Sequence, residues 1–194
     1  MIDDASLTVS AGGRGLPDFA VYRAIKMVVF DVDGVLTDSR IIIDSNGVES
    51  KFFSVRDGAG ITFLLKAEIK VALLTGRSSA VVDFRAKELN IPPALVRQGA
   101  KVKLPVFTQL LEENGLTPAQ AAFVGDDIID LPVLEVAGLA CCPADAHPSV
   151  KKICHVVSSG RGGRGGVRAI VEHFLQTRAD GSWELALKRY LGRA

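Results

Sequence analysis

A surplus of charge of one sign is what this chain lacks most plainly. Its 194 residues carry 23 Lys+Arg against 22 Asp+Glu, a formal net charge of +1, so neither nucleic acid nor an anionic membrane has a bulk electrostatic reason to bind it. Cysteine is scarce. Cys141, Cys142 and Cys154 are an odd three with no metal-type spacing, which argues against a disulfide framework and reads as reduced thiols. No apolar run approaches the ~20 residues a transmembrane helix needs. The first residues, MIDDASLTVSAGGRG, lack the basic start and apolar stretch of a signal peptide, so a cytoplasmic location is expected. Aromatic residues are 6% of the chain, and none is interleaved in its one biased stretch, GRGGRGG at residues 160–166, which weakens a single-stranded nucleic-acid reading of that stretch. What the chain does have is hydrophobicity, at 48% of residues, ample for the core of one domain.

That hydrophobicity is distributed in short runs: Met27–Phe30, Val71–Leu74, Ala94–Val96, Ala121–Val124, Leu139–Cys142 and Cys154–Val157. Helix-like stretches lie between them at Gly58–Ala67, Ser78–Leu89, Lys103–Asn114, Asp130–Ala137 and Val167–Gln176. Continuous apolar strands alternating with helices predict an α/β, doubly wound, mostly parallel sheet of about six strands, covered on both faces. Ligands of such sheets bind at the carboxyl ends of the strands. One insertion breaks the alternation. Arg40–Asp44 and Glu49–Ser54 flank Ser45-Asn46-Gly47, a β-hairpin signal directly after the first strand. The hairpin, residues 40–54, is too short for a lid domain, and isolated hairpins are marginal in water; a partner surface is expected for it. Residues 1–24 read as a loose extension, 25–177 as the domain, and 178–194 as a tail with a short helix around Trp183–Tyr190.

Chemistry-bearing residues collect at the strand ends. Asp31 and Asp33 leave the first apolar strand together, with Gly34 free to turn the chain; unpaired carboxylates are too costly for routine core positions. Thr75 and Gly76 follow Val71–Leu74, Asp126, Asp127 and Asp130 follow Ala121–Val124, and Lys103 opens a helix after Gln98-Gly99. Singly, each has a bland explanation: Thr75 as a helix N-cap, Lys103 as a solvated charge, Asp127 or Asp130 as groups favouring a helix N-terminus. Together they suit phosphoryl transfer. A carboxylate attacks phosphorus, a hard cation such as Mg2+ offsets the repulsion between phosphate and carboxylates, a hydroxyl and an ammonium hold the phosphoryl oxygens, and a second acid protonates the leaving oxygen and then activates water.

In this order (DxDGxLT, a Thr after an apolar strand, Lys, then GDDxxD) the residues resemble the haloacid dehalogenase-like (HAD) phosphohydrolases, over roughly residues 26–176. The resemblance implies that Asp31 is the nucleophile and Asp33 the general acid/base. It implies Mg2+ on Asp31, the backbone carbonyl of Asp33, and Asp126, with Thr75, Gly76 and Lys103 on the phosphate. Asp127 and Asp130 would stand behind these groups or at the helix start. Lys101 lies near, but the register from Gln98-Gly99 favours Lys103.

A narrower set of stretches is similar to the cap-less subfamily of 3-deoxy-D-manno-octulosonate (KDO) 8-phosphate phosphatases: DGVLTD at 33–38, FFSVRDGAG at 52–60, LTGR at 74–77, VGDD at 124–127, ADAHP at 144–148 and GGRG at 162–165. That resemblance implies a homotetramer whose hairpins form a central barrel and whose neighbouring subunits help close each active site. It implies that Ser54–Gly58 (with Arg56, Asp57 and Gly58), Arg77 and Arg85 contact the sugar acid or its phosphate, and that the Gly-Arg segment folds over a neighbour's site. The product would feed lipopolysaccharide assembly in a Gram-negative cytoplasm. The arginines, with Arg161 and Arg164, suit a substrate bearing both carboxylate and phosphate, because a guanidinium pairs such groups bidentately. His147 and His155 have no partner motif and take no catalytic role. The chain departs from the subfamily at Val102, at the extra Gly-Arg unit within Arg161–Gly166, and beyond Gln176. A phosphatase for a nine-carbon sugar acid phosphate stays open as the alternative substrate. A phosphorylation-switched receiver domain is the competing class, disfavoured because its phosphorylated Asp ends the third strand.

Overall fold

The structure is a computed structural model that describes residues 8–178 and 180–193. The strands are β1 (Val9–Ala11), β2 (Met27–Phe30), β3 (Ile42–Ile43), β4 (Glu49–Ser50), β5 (Lys70–Leu74), β6 (Val96–Arg97), β7 (Ala121–Val124), β8 (Leu139–Cys142) and β9 (Val156–Ser158). The helices are α1 (Phe19–Ala24), α2 (Val55–Lys66), α3 (Ala80–Glu88), α4 (Lys103–Glu113), α5 (Leu131–Val136), α6 (Pro148–Ile153), α7 (Gly166–Thr177) and α8 (Ser182–Tyr190).

Strand burial explains why the apolar runs are continuous. In β2, Val28 and Phe30 join one cluster with Ile61 and Leu64 of α2 and Ile170, Val171 and Phe174 of α7. Met27 and Val29, pointing the other way, join Phe107, Leu110 and Leu111 of α4 and Val133 and Leu134 of α5. The same alternation divides β5, β7 and β8 between the two clusters. A strand covered on both faces has no position for a polar residue, and each fully buried Val, Leu, Ile or Phe contributes about 1.5–3 kcal/mol. The main sheet runs β1-β9-β8-β7-β2-β5-β6, parallel except for the antiparallel β1–β9 pair. It is the expected doubly wound sheet with a hairpin and no cap domain. Phe30 is level with Val124 of β7 and Leu73 of β5, so the residues that follow these strands emerge side by side.

Several boundaries differ from the sequence reading. Residues 8–24 are not loose: β1 pairs along β9, Val9 with Ser158 through Ala11 with Val156, and α1 buries Tyr22. The sheet edge that orders β1 lies some 150 residues away, so no local periodicity announces it. Residues 1–7 of the expected extension lie outside the described residues, as do 179 and 194 of the tail. The run Ala94–Val96 gives a single 3₁₀ turn, Pro93–Leu95, before β6, because consecutive prolines supply no N–H to a ladder. The hairpin strands are shorter than expected: only Ile42–Ile43 pairs with Glu49–Ser50, and Ser54 is instead the N-cap of α2, its Oγ accepting from Asp57 N at 3.3 Å. The tail does form a helix, α8, with Trp183 and Tyr190 edge-on to Phe63 at centroid distances of 5.3 and 4.7 Å. Among the described residues no helix is long and apolar enough to cross a membrane.

Asp57, one turn into α2, ties that helix to the start of α7. Its carboxylate accepts from Gly165 N at 3.0 Å and Arg168 N at 2.8 Å, two donors that a helix start leaves unpaired. Burial pushes its pKa up even so. Asp57→Ala is expected to lower the unfolding free energy by about 1–3 kcal/mol, the cost of buried N–H groups left without an acceptor. Asp57→Asn should recover part of the loss. Urea unfolding of the two variants checks both.

Candidate active site

The carboxyl ends of β2, β5 and β7, with the start of α4, bring the predicted residues together. Asp31 follows β2 and is 4% exposed; its N–H donates to Val124 O at 2.9 Å, extending the ladder one step past the strand. Val32–Thr37 then closes a tight loop in which the amides of Val35, Leu36 and Thr37 all donate to Val32 O. Gly34 is required twice over. Its φ is +96°, which a Cβ disfavours, and a Cβ there would lie 2.1 Å from Asp126 Oδ2. The two acidic segments therefore approach each other as closely as a hydrogen side chain permits.

Thr75 follows β5 and is buried, its N–H donating to Arg97 O at 2.9 Å. Lys103, the first residue of α4, is also buried. Its Nζ donates to Asp130 Oδ1 at 2.6 Å and lies 3.0 Å from Asp31 Oδ1. Lys101 is exposed, so the register that favoured Lys103 is the one the fold adopts. Asp130 is fully engaged, since its second oxygen accepts from the amides of Asp126 and Asp127 at 3.0 and 3.3 Å. Asp127 caps the 3₁₀ turn Ile128–Asp130 through Ile128 N at 2.8 Å.

Electrostatics follow from this crowding. One oxygen each of Asp31, Asp126 and Asp130 lie within 4.8 Å of one another. Burial, and then the Asp130 charge against the pull of Lys103, pushes the Asp31 carboxyl up to about 7. Burial, and then the charges of Asp31, Asp130 and Asp127, pushes Asp126 up to about 8. Burial works against the Lys103 ammonium, but Asp31 and Asp130 more than offset it, and its pKa stands above the ordinary lysine value. Asp31 Oδ1 faces the Lys103 ammonium at 3.0 Å, and Asp126 Oδ1 is buried without a hydrogen-bond partner. An unpartnered Asp126 oxygen beside the Asp31 carboxylate, in an all-oxygen site, fits a hard divalent cation. Asp130, already saturated by Lys103 and two amides, holds the arrangement in place.

The cleft over these groups measures about 230 Å³ and is lined by Asp31, Asp33, Ser39, Thr75, Gly76, Arg77, Lys103, Asp126, Asp127 and Ile129. A larger hollow of about 590 Å³ under α3, lined by Ala86, Ile91, Pro92 and Pro93 among others, lies apart from the chemistry. Four residues expected to contact substrate are absent from the walls of the cleft. Asp57 is spent on the α7 start. Gly58 makes room for Arg85, since a Cβ there would lie 2.3 Å from Arg85 Nη2. Arg85 itself donates to Ser54 O and pairs with Glu88. Arg56 is exposed on the first turn of α2. The Gly-Arg segment, expected over a neighbour's site, packs on its own chain: Gly163 N donates to Val35 O at 3.0 Å, and a Cβ at Gly162 would lie 1.9 Å from Gly34 O. Arg161 and Arg164 pair with Asp145 and Asp38 at the surface. His147 and His155 accept backbone N–H groups through Nδ1.

Sequence reading missed Lys51. Its ammonium, on a side chain with no exposed surface, lies 2.5 Å from Asp33 Oδ1 and 3.3 Å from Glu49 Oε1. Arg77 Nη2 reaches the same Glu49 oxygen at 3.1 Å. The one available signal was a lysine two residues after Glu49, on the same face of an extended segment.

Similarity to known proteins runs in the same direction. Residues 54–138 match the haloacid dehalogenase-like hydrolase family. The 3-deoxy-D-manno-octulosonate 8-phosphate phosphatase KdsC of Escherichia coli K12 is 41% identical over 171 residues, 88% of this chain and 90% of its own length. The fold superposes on the Moraxella catarrhalis 3-deoxy-D-manno-octulosonate 8-phosphate phosphatase in complex with magnesium, phosphate and KDO, with a TM-score of 0.82 and 34% identity, covering 87% of this chain and 96% of that one. For the Yersinia pestis phosphatase of the same name the TM-score is 0.80 at 37% identity, covering 84% and 87%.

The raised carboxyls have a measurable consequence. Unfolded, these groups titrate near 4, so from about pH 4 to about pH 8 Asp31 and Asp126 hold more protons in the metal-free folded protein than in the unfolded chain, and the stability they contribute falls as pH rises through that window. Mg2+ needs the deprotonated ligands, so it should bind more tightly with rising pH and release protons on binding near pH 7. Asp126→Asn should raise the Tm of the metal-free protein at pH 8 and weaken Mg2+ at least about tenfold. Calorimetric titration in buffers of different ionisation enthalpy reads the proton release; identical heats in every buffer would contradict this account.

Proposed function

This chain belongs to the haloacid dehalogenase-like hydrolases, and from that premise we infer that it is a Mg2+-dependent phosphomonoesterase that hydrolyses KDO 8-phosphate to KDO and inorganic phosphate. The observation that carries the inference is the meeting of Asp31, Asp33, Thr75, Lys103 and Asp126 around one cleft, with Asp126 Oδ1 buried and unpartnered.

The residues divide the work as follows. Asp31 attacks phosphorus in line, forming an aspartyl-phosphate while the bond to the sugar oxygen breaks. Asp33 gives its proton to that leaving oxygen, then takes one from a water that hydrolyses the intermediate. The Thr75 hydroxyl, the Gly76 amide and the Lys103 ammonium hold the phosphoryl oxygens while charge shifts among them. Asp31, the backbone carbonyl of Asp33, and Asp126 would hold the ion. When bound, Mg2+ supplies the positive charge that lets a phosphate dianion approach several carboxylates. Asp130 and Asp127 keep Lys103 and the β7–α5 loop in position.

The sugar acid is the finer part of the reading. A cleft of about 230 Å³ is below the ~300–1,000 Å³ usual for small-molecule sites, room for a phosphoryl group while the leaving group extends past Arg77 and Ser39. A second subunit supplies the missing wall. The hairpin exposes Ile41, Ile43, Val48 and Phe52 by 50–64%, and β3 and β4 pair only with each other, too little for independent stability. Four such hairpins joined in a barrel would bury these residues in a homotetramer. By its similarity to the KDO 8-phosphate phosphatases, we place the enzyme in the cytoplasm, feeding lipopolysaccharide assembly. A nine-carbon sugar acid phosphate is the alternative substrate.

Asp31→Asn should reduce phosphate release at least about 10⁴-fold while leaving the fold intact. EDTA should abolish activity, and Ca2+ should inhibit because its larger, looser coordination displaces the attacking oxygen. kcat/KM for the eight- and nine-carbon substrates, measured side by side, decides between them; near wild-type turnover by Asp31→Asn would sink the nucleophile assignment. Ile42→Asp with Ile43→Asp should shift the assembly to smaller species by light scattering and lower activity with it.

A further inference from the structure

We propose that Lys51, carried on the hairpin, is the positioning residue for Asp33: its ammonium pins Oδ1 of that carboxylate and leaves Oδ2 to exchange the proton. The proposal rests on the reading of Asp33 as the acid/base.

Three observations carry it. First, the Asp33 carboxylate, on a loop and 21% exposed, sits 2.5 Å from Lys51 Nζ, and among the described residues it takes its one hydrogen bond there, at Oδ1. Without that contact nothing in the loop fixes its rotamer. Second, Lys51 pays a desolvation cost a surface hairpin does not require. Its side chain is fully buried, and buried ammonium groups persist only where carboxylates face them; here Asp33 and Glu49 both do. Third, the pairing does not end there. Glu49 also receives Arg77 Nη2 at 3.1 Å, and Arg77 lines the cleft beside the phosphate-binding groups. One chain of charges, Asp33–Lys51–Glu49–Arg77, thus joins the group that protonates the leaving oxygen to the hairpin and to an arginine beside the leaving-group path. Lys51 does not touch the reacting atoms; it acts through Asp33, where a displacement of about 1 Å costs on the order of 10²-fold in rate.

Lys51→Met keeps an unbranched side chain, one heavy atom shorter, and removes the charge. It should lower kcat on the sugar acid phosphate by about 10²-fold with KM little changed, and Lys51→Arg should recover part of the loss. On 4-nitrophenyl phosphate, whose leaving group needs no acid, Lys51→Met should still give a rapid first turnover of nitrophenolate followed by a slow steady state, because only the hydrolytic half then depends on Asp33. Placed on Asp33→Asn, the Lys51→Met change should add little further loss. A raised KM with kcat preserved, or a loss that adds in full to that of Asp33→Asn, would overturn the proposal by making Lys51 a substrate contact. Wild-type turnover by Asp33→Asn alone would instead overturn the acid/base reading beneath it. Light scattering on each variant shows whether the assembly is the same, so a hairpin that merely unfolds is recognised as a loss of oligomer rather than of positioning; a rate loss that tracks oligomer loss in Lys51→Met and is absent in an intact Lys51→Arg tetramer would overturn the proposal as well.

Discussion

Negative charge packed at the end of a parallel sheet is the constraint on which the rest of the structure depends. Three carboxylate oxygens stand within 4.8 Å of one another, where like charges in a poorly hydrated site repel strongly. Relaxation is the ordinary escape, and the fold denies it. Phe30, Leu73 and Val124 are locked level by the ladder, so Asp31, Thr75 and Asp126 cannot drift apart without breaking the core. What relief exists is partial: one ammonium, Lys103, shared between two carboxylates, and two amides that absorb the second oxygen of Asp130. Burial first, and then the repulsion that remains, raises the pKa values of Asp31 and Asp126. Carboxylates at these positions hold the stability of the metal-free fold at neutral pH below what neutral residues would give. Such an opposition between stability and activity is common where function needs a strained site.

A second layer of structure keeps the loop carrying Asp33 from moving away from this charge. Gly34 abuts Asp126, Gly162 abuts Gly34, and Gly163 bonds to Val35. Gly165, two residues on, donates to Asp57, which belongs to α2. The path therefore runs from the start of α2, through the start of α7, to the back of the Asp31–Thr37 loop, and at each step a glycine or a buried carboxylate allows backbone to meet backbone. The glycine-arginine run, which in sequence resembles a flexible or nucleic-acid-binding segment, is a brace built from close approaches.

How much of this was legible in the sequence depended on the range of the cause. β2, β7 and β8 were bounded to the residue because a strand buried on both faces shows as an uninterrupted apolar run. Asp31, Asp33, Thr75, Lys103 and Asp126 were legible because the same runs end where they stand. The losses came where the determining contact is distant or shared. β1 takes its order from an edge 150 residues away. Asp57, a carboxylate in a motif rich in substrate-like features, is consumed by two amides of α7. Gly58 and Arg85 are a packing pair. Lys51 looks in sequence like any solvated lysine of a hairpin, and only the fold shows it turned inward.

The hairpin unites these threads. Ile41, Ile43, Val48 and Phe52 of the hairpin are exposed, Ile43 on the face it shares with Glu49 across the ladder and Val48 and Phe52 on the other, while Glu49 and Lys51 pair toward the cleft. A two-residue ladder cannot hold an ammonium steadily against a carboxylate, since such a hairpin is marginal by itself. Burying these apolar residues against other copies would supply the stiffness that the ladder lacks. On that view assembly and chemistry are one problem. The apolar residues that demand a partner and the charged residues that meet Asp33 belong to the same short segment, so whatever orders the first set also orders the second. An enzyme without a cap domain would then obtain from its neighbours both the missing wall of its cleft and the rigidity of the groups around its acid.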